Sequence, residues 1–154
     1  MKKNGSNGKQ AKESTDKVRF AAVGLGHITQ AAFLPSFQNA DNAELVALVS
    51  GDDQKLAEVG TTYDIEHCLH YDDFESFLEK GLVDAVYIGL PNHLHCEYTL
   101  AAARAGVHVL CEKPMAVMAD ECRRMIRTAQ TNRVKLMIAY RLQFHPAHAK
   151  ALDL

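Results

Sequence analysis

The stretch Val18–Thr29 reads V-R-F-A-A-V-G-L-G-H-I-T and decides the fold. Its first half is an apolar run that ends at Gly24-Leu25-Gly26, which is typical of a strand buried on both faces of a parallel sheet. Gly24 permits a tight turn, and Gly26 lets the backbone approach a bound group closely. The stretch therefore predicts a buried strand that runs into a ligand-holding turn.

The segment 27–39 has the length of a helix and begins directly after this turn. A helix start presents free backbone N–H groups and the positive end of its dipole, a geometry that receives a pyrophosphate. Strand, glycine turn and helix in this order form the dinucleotide fingerprint, although Thr29 stands where the fingerprint prefers Gly or Ala. We expect His27 and Ile28 to lie beside the pyrophosphate.

The composition is that of an ordinary soluble domain. The chain has 154 residues, of which 47% are hydrophobic and 23% charged, enough for one domain with a real core. A net charge of −2 without a basic stripe gives no reason to expect nucleic acid or an anionic membrane as partner. The sequence has no membrane-length apolar run and no secretory h-region at its start, which predicts a cytoplasmic protein. The four cysteines, none in a C-x-x-C pair, are expected to be reduced and mostly buried.

The rest of the chain alternates between apolar runs and helical segments. Residues 1–16 are polar and are expected to form a disordered tail, followed by one domain over 17–154. Further strands are predicted over 44–50, 68–70, 83–89, 107–111 and 134–140. The helices between them are predicted over 54–59 (ending at Gly60), 73–80 (capped by Asp72 or Asp73 and ending at Gly81), 93–104 (ending at Gly106) and 120–131. This alternation predicts an α/β fold with a doubly wound parallel sheet in the order 3-2-1-4-5-6.

In such a sheet the ligand lies outside the carboxyl ends of the strands. The residues that follow the strands are therefore expected to converge on one cleft. They are Gly24–Gly26, Ser50-Gly51, Leu90-Pro91-Asn92, Glu112-Lys113-Pro114 and Tyr140-Arg141.

These segments resemble the glucose-fructose oxidoreductase/inositol dehydrogenase (Gfo/Idh/MocA-like) family. The resemblance covers 18–146 and rests on G-L-G-H-I-T, D-A-V-Y-I-G-L-P-N-H-L-H, A-G-V-H-V-L-C-E-K-P and K-L-M-I-A-Y-R, of which E-K-P is the most specific. It implies the NAD(P)-binding Rossmann domain of a sugar or polyol oxidoreductase. Members continue into a substrate domain that often forms the oligomer interface. We therefore expect this chain to lack that domain and to be poor at turnover alone, and the full-length form to be a homo-oligomer.

Ser50 decides the expected cofactor. NAD-preferring enzymes usually carry Asp or Glu at the end of the second strand, where a carboxylate would repel the 2′-phosphate of NADP. Ser50 removes this repulsion, Gly51 leaves its N–H accessible, and Lys55 lies one helical turn further on. The resemblance adds Tyr71 as a phosphate contact, whereas Asp52 and Asp53 add unfavourable negative charge. The prediction is NADP, with NAD as the alternative.

Lys113 is the predicted catalytic residue. Pro114 keeps the backbone of Lys113 extended and out of a helix, so that the ammonium points from the end of the fifth strand into the cleft. By resemblance it would hydrogen-bond the reacting hydroxyl or carbonyl of the substrate. Glu112 would orient Lys113 or contact the nicotinamide ribose. The competing interpretation of Lys113 is an ordinary surface lysine.

Five further residues are predicted to contact the cofactor by their places at the strand ends: Leu90, Pro91, Asn92, His95 and Arg141. Asn92 has a second interpretation, since it is also a suitable cap for the helix that follows. His93, His95, His108 and Cys111 have spacings that occur in metal proteins, but no second ligand pair completes a site, so no metal is expected.

Two other functions remain open at this point. One is a non-enzymatic NAD(P)-binding or sensor module, and the other is a methyltransferase that holds S-adenosylmethionine on a similar glycine turn. The methyltransferase would want an acidic residue where Ser50 stands. Under the oxidoreductase interpretation, the expected partners are a nicotinamide dinucleotide and a small sugar or polyol.

Overall fold

The computed structural model describes residues 17–152, so the expected tail 1–16 lies outside the described part of the chain. One six-stranded sheet forms its centre, with every neighbouring pair parallel and the order β3-β2-β1-β4-β5-β6. The predicted doubly wound α/β topology is confirmed. The strands are β1 Val18–Val23, β2 Ala43–Val49, β3 His67–Leu69, β4 Ala85–Ile88, β5 His108–Cys111 and β6 Leu136–Ile138.

The first helical run covers 27–39, as predicted, but it is irregular. A π-helical segment Thr29–Phe33 is followed by the α-helical turn α1, Leu34–Ser36, and a 3₁₀ turn Phe37–Asn39. The remaining helices are α2 Asp53–Tyr63, α3 Phe74–Leu78, α4 His95–Arg104, α5 Ala119–Thr131 and α6 Pro146–Leu152. Short 3₁₀ turns precede three of them, at Tyr71–Asp73, Asn92–Leu94 and Arg141–Phe144.

Apolar side chains fill both faces of the sheet. Alternate residues of a strand point to opposite faces, so Ala21 and Val23 pack into one cluster while Ala22 packs into the other. The larger cluster lies under α3, α4 and α5, and the smaller one lies under the first helical run and α2. Burial on both sides explains why the central strands read as nearly continuous apolar runs.

Gly60 does not end the second helix, contrary to the prediction. Helix α2 continues to Tyr63, and Asp64 takes the left-handed conformation at its end with φ of +54°. A Cβ at Gly60 would lie 2.6 Å from Cys68 Sγ. Glycine is therefore needed at this position so that α2 can approach β3.

Two predicted helix caps are also wrong. Asp73 already has helical dihedral angles and makes no cap, while His70 Nδ1 accepts the N–H of Asp72 at 3.4 Å. Asn92 does not cap the helix after β4, because the chain first makes a 3₁₀ turn with Pro91 at its cap position. Gly81 and Gly106 do adopt positive φ, +66° and +78°, where the helices before them end.

An ion pair fastens β1 to the segment before β4. Asp84 accepts the Arg19 guanidinium through both carboxylate oxygens, at 2.7 and 3.0 Å, and the Arg19 backbone N–H at 2.8 Å. These bonds to Arg19 lower the pKa of Asp84. The pair fixes the register of the two central strands at the end opposite the cleft described below.

Candidate functional site

A cleft of about 310 Å³ lies at the carboxyl ends of β1, β2 and β4. Its lining contains most of the predicted dinucleotide contacts, together with Asp52 and Gly89, which were not predicted as contacts. The full lining is Gly24, Leu25, Gly26, Ser50, Gly51, Asp52, Lys55, Tyr71, Gly89, Leu90 and Pro91. A larger hollow of about 630 Å³ lies between α2 and β3 and contains none of the predicted site residues. The strand-end cleft is therefore the candidate site.

The glycine turn closes one side of this cleft. Gly24 has φ of +89° and donates its N–H to the Val49 carbonyl at 2.8 Å. A Cβ on Gly24 would lie 2.7 Å from the Gly89 oxygen, so packing within the protein requires glycine there. A Cβ on Gly26 would meet only the same oxygen at 3.8 Å. The open space over Gly26 is what a backbone-hugging phosphate needs.

The Thr29 side chain fits at its position in the dinucleotide fingerprint because the residue that follows the neighbouring strand β4 is a glycine, Gly89. Its side chain is fully buried and its hydroxyl donates to the Gly24 carbonyl at 2.7 Å. A Cβ at Gly89 would collide with this hydroxyl and would lie 2.8 Å from the ring of Tyr87. The sequence could have indicated Gly89 as a cleft residue, because it lies at the carboxyl end of a predicted strand.

On the second side of the cleft, the negative charge of Asp52 is paired with the positive charge of Lys55. Ser50 is 4% exposed, and its Oγ accepts the Asp52 N–H at 3.2 Å. Asp52 accepts the Lys55 backbone N–H at 3.0 Å and pairs with Lys55 Nζ at 2.9 Å. The side-chain bond lowers the pKa of Asp52 and raises that of Lys55. Lys55 thus offsets the negative charge that Asp52 was expected to add.

Tyr71 forms the outer wall beside these residues. A Cβ on Gly51 would lie 3.1 Å from the Tyr71 ring, so glycine at 51 gives the ring room. Burial raises the pKa of Tyr71, against the opposing effect of the Ser50 hydroxyl and the Gly51 N–H. Its hydroxyl therefore stays protonated and available as a donor near neutral pH.

Glu112 links Lys113 to the core of the sheet. Its Oε1 accepts the Tyr87 hydroxyl at 3.0 Å, and its Oε2 accepts the Lys113 backbone N–H at 3.2 Å. Burial, followed by the Glu112 charge, raises the pKa of Tyr87, which remains a neutral donor. Lys113 itself is exposed and precedes Pro114 through a cis peptide bond. It lies outside the cleft lining, at the end of the adjacent strand β5.

The structure corrects the predicted direct contact for His95. Its side chain is fully buried in the first turn of α4, and both ring nitrogens lie 2.8 Å from backbone oxygens. Asn92, His27 and Ile28 are exposed next to the cleft but do not line it. Arg141 is exposed in the turn that follows β6, beyond the strands that form the cleft.

Within residues 17–152, no group of three His, Cys, Asp or Glu side chains is placed to hold a metal ion. None of the helices in this part of the chain has the length and apolar character to cross a membrane.

Residues 18–140 match the family model Gfo/Idh/MocA, described as an oxidoreductase family with an NAD-binding Rossmann fold. The chain belongs to the Gfo/Idh/MocA oxidoreductase family. A D-xylose 1-dehydrogenase [NADP(+)] of Haloarcula marismortui is 37% identical over 147 residues, 94% of this chain. The scyllo-inositol 2-dehydrogenase (NADP(+)) IolU of Bacillus subtilis is 35% identical over 84% of this chain.

Among solved Gfo/Idh/MocA-like structures, the aldose-aldose oxidoreductase of Caulobacter crescentus is 39% identical and superposes with a TM-score of 0.85. The match covers 90% of this chain and 42% of that chain. The chain likewise spans 41% and 38% of the two curated relatives. The matched part is the Rossmann portion of the family.

Proposed function

We propose that this chain is the nucleotide-binding part of an NADP-dependent oxidoreductase that transfers hydride to or from a sugar or polyol. The observation that carries the proposal is the cleft that joins the glycine turn, the Ser50–Lys55 side and Leu90-Pro91. The two curated relatives named above act on a sugar and a polyol with NADP(+), according to their names.

The pyrophosphate would lie over Gly26. The space above this glycine is open, and the helical run that starts at residue 27 directs free N–H groups and its positive dipole end toward it. The exposed side chains of His27 and Ile28 would flank the phosphates without obstructing them.

The 2′-phosphate would be held by Ser50, Gly51, Lys55 and Tyr71. Lys55 carries its charge at the cleft, and the hydroxyl of the half-buried Tyr71 is a donor. Ser50 accepts from Asp52 and keeps its own hydroxyl hydrogen to donate. Asp52 would contribute little repulsion because its charge is paired with Lys55.

Lys113 would position and polarise the substrate. When bound, the nicotinamide supplies or accepts the hydride. The Lys113 ammonium would donate a hydrogen bond to the reacting oxygen and stabilise the negative charge that develops on it. Glu112, held by Tyr87, fixes the Lys113 backbone through its N–H. Asn92 and Arg141 would complete the surroundings of the nicotinamide from the ends of β4 and β6.

The whole protein is further proposed to act in the cytoplasm as a homo-oligomer, with a substrate domain supplied outside residues 17–152. Cys96 and Cys111 are buried free thiols, which suits a reducing compartment. The side chains of Leu142 and Phe144 are 55% and 69% exposed apolar surface that a partner domain or subunit would cover.

Isothermal titration calorimetry of the chain with NADPH, NADH and, as control, S-adenosylmethionine tests the cofactor assignment. We expect NADPH to bind at least about tenfold more tightly than NADH, about 1.4 kcal/mol, because only its 2′-phosphate uses Lys55. Lys55→Ala should remove this preference, whereas Lys80→Ala, at the end of the third helix, should preserve it. Preferential binding of S-adenosylmethionine would contradict the proposal.

A further inference from the structure

His95 stands between the two segments that follow the neighbouring strands β4 and β5. The segment after β4 contains Leu90 and Pro91 and lines the cleft, and the segment after β5 contains Lys113 and Pro114. His95 Nε2 lies 2.8 Å from the Leu90 carbonyl oxygen, and its Nδ1 lies 2.8 Å from the Pro114 carbonyl oxygen. One fully buried ring therefore touches the wall of the cleft on one side and the lysine segment on the other.

Both contacts require the ring to act as a donor, because a carbonyl oxygen only accepts. A neutral imidazole has one N–H and can satisfy one of the two oxygens, whereas a ring protonated at both nitrogens satisfies both. The ring is fully buried in the first turn of α4, within hydrogen-bond distance of both oxygens. A displacement of one segment would therefore act on the ring and, through it, on the other segment.

We propose that His95 is a positioning residue that couples occupation of the cleft to the placement of Lys113. A cofactor that packs on Leu90-Pro91 would restrict the position of the Leu90 carbonyl and so that of the His95 ring. The ring contacts the Pro114 carbonyl, so the backbone next to Lys113 would be restricted as well. The inference rests on the proposed function, since it requires a dinucleotide in the cleft. It assigns His95 a task in orienting the lysine that is distinct from contact with the ligand.

The test uses a ligand that cannot touch Lys113. 2′-Phospho-ADP carries the adenosine, the 2′-phosphate and the pyrophosphate of NADP but lacks both the nicotinamide ring and its ribose, so an effect on the lysine segment must travel through the protein. Hydrogen exchange measured by mass spectrometry reports the backbone amides of residues 112, 113, 115 and 116 with and without this ligand. We expect binding to slow their exchange by about threefold or more in the wild-type chain, the effect of roughly one hydrogen bond.

Two substitutions each keep one of the two contacts. His95→Asn places an amide donor near the position of Nδ1, facing Pro114, and His95→Gln places one near Nε2, facing Leu90. Both variants should still bind 2′-phospho-ADP, but in neither should added ligand slow exchange at 112–116. Thr99→Val, an isosteric change at a fully buried site one turn along α4, should transmit protection as the wild type does.

The possible outcomes distinguish the coupling from the proposed function. If the wild-type chain binds neither NADPH nor 2′-phospho-ADP, the proposed function fails and the coupling fails with it. If binding occurs but the wild type shows no protection at 112–116, the function stands and the coupling is overturned. The coupling is overturned as well if a folded His95 variant still transmits protection, since His95 would then only support the fold.

Discussion

A charge introduced at position 50 would be unpaired, because the two charged residues that line the cleft, Asp52 and Lys55, already form an ion pair. Ser50 accepts the Asp52 N–H and carries no charge of its own. Ser50→Asp would place a second carboxylate near the proposed 2′-phosphate, so we expect NADPH affinity to fall by about tenfold or more while NADH affinity is kept. Gln54→Glu adds the same charge to α2 outside the cleft lining and should leave both affinities unchanged. Equal NADPH binding by Ser50→Asp and wild type would remove the phosphate assignment.

Lys113 is exposed, and it is the residue proposed above to donate to the reacting oxygen of the substrate. In the oxidoreductase proposed above, Lys113→Ala should lower kcat by about a hundredfold or more, the scale of losing one oxyanion donor. The dissociation constant for NADPH should change by less than about threefold, since the cleft lining does not include this residue. Steady-state kinetics together with NADPH titration measure the two effects. A loss confined to cofactor affinity would make Lys113 a binding residue instead of a catalytic one.

At the scale of elements, two glycines that line the cleft, one after β1 and one after β4, serve different purposes. Gly89→Ala would drive a methyl group into Thr29 and Tyr87, so we expect the free energy of unfolding to fall by about 2 kcal/mol. Gly26→Ala should leave stability within about 0.5 kcal/mol of wild type, because its Cβ points into open space. The same Gly26 variant should bind NADPH about tenfold less tightly, since the methyl group occupies the phosphate position. Urea unfolding and titration on both variants check the pair; a stable Gly89→Ala would contradict the packing explanation.

The ion pair between β1 and the segment before β4 gives the protein a pH-dependent component of stability. Arg19 lowers the folded-state pKa of Asp84, so the pair contributes its stability above the ordinary carboxyl pKa of about 3.9 and loses it as the pH falls through the lower folded value. Asp84→Asn should therefore be less stable at pH 7, and its free energy of unfolding should depend less on pH below about 4. Urea unfolding across that range, with the exposed Asp53→Asn as control, measures the difference. Parallel pH profiles for Asp84→Asn and wild type would contradict this role of the pair.

The central strands β1, β2, β4 and β5 were predictable because burial leaves apolar runs, each followed by glycine or a polar residue. The strand order was predictable from the alternation of strands and helices. The errors concern features that depend on tertiary contact. Gly60 looks like a helix stop in sequence, yet α2 continues through it to Tyr63, and the close approach of Cys68 explains why this position is a glycine. Asp73 looks like a cap, yet His70 makes the bond. The local sequence pattern indicates where a helix or strand lies, whereas contacts with other parts of the fold determine the residue at which it ends.

At the scale of the whole molecule, the cleft follows from topology and the details of its wall do not. Parallel strands deliver their carboxyl ends to one edge, so Ser50 and Gly26 could be placed together from the sequence. His95 was assigned to the same cleft from its place after β4, but the turn of α4 buries it behind Leu90. No property of an isolated histidine indicates which side of a wall it occupies. The compensation of Thr29 by Gly89 is likewise a contact between distant positions and needs the folded sheet.

Exposed apolar side chains in the segment after β6 predict that the chain self-associates. Within 140–144, Tyr140, Leu142 and Phe144 are 54%, 55% and 69% exposed, which concentrates apolar surface in one short segment. Apolar surface of this kind associates when no partner covers it. We expect sedimentation velocity to show a mass that rises with chain concentration, and Leu142→Ser with Phe144→Ser to return the chain toward monomer. Val117→Ser with Met118→Ser removes equally exposed apolar side chains, 58% and 63%, from a different part of the sequence and should leave association unchanged. If both double variants have the same effect, association does not depend on the segment after β6.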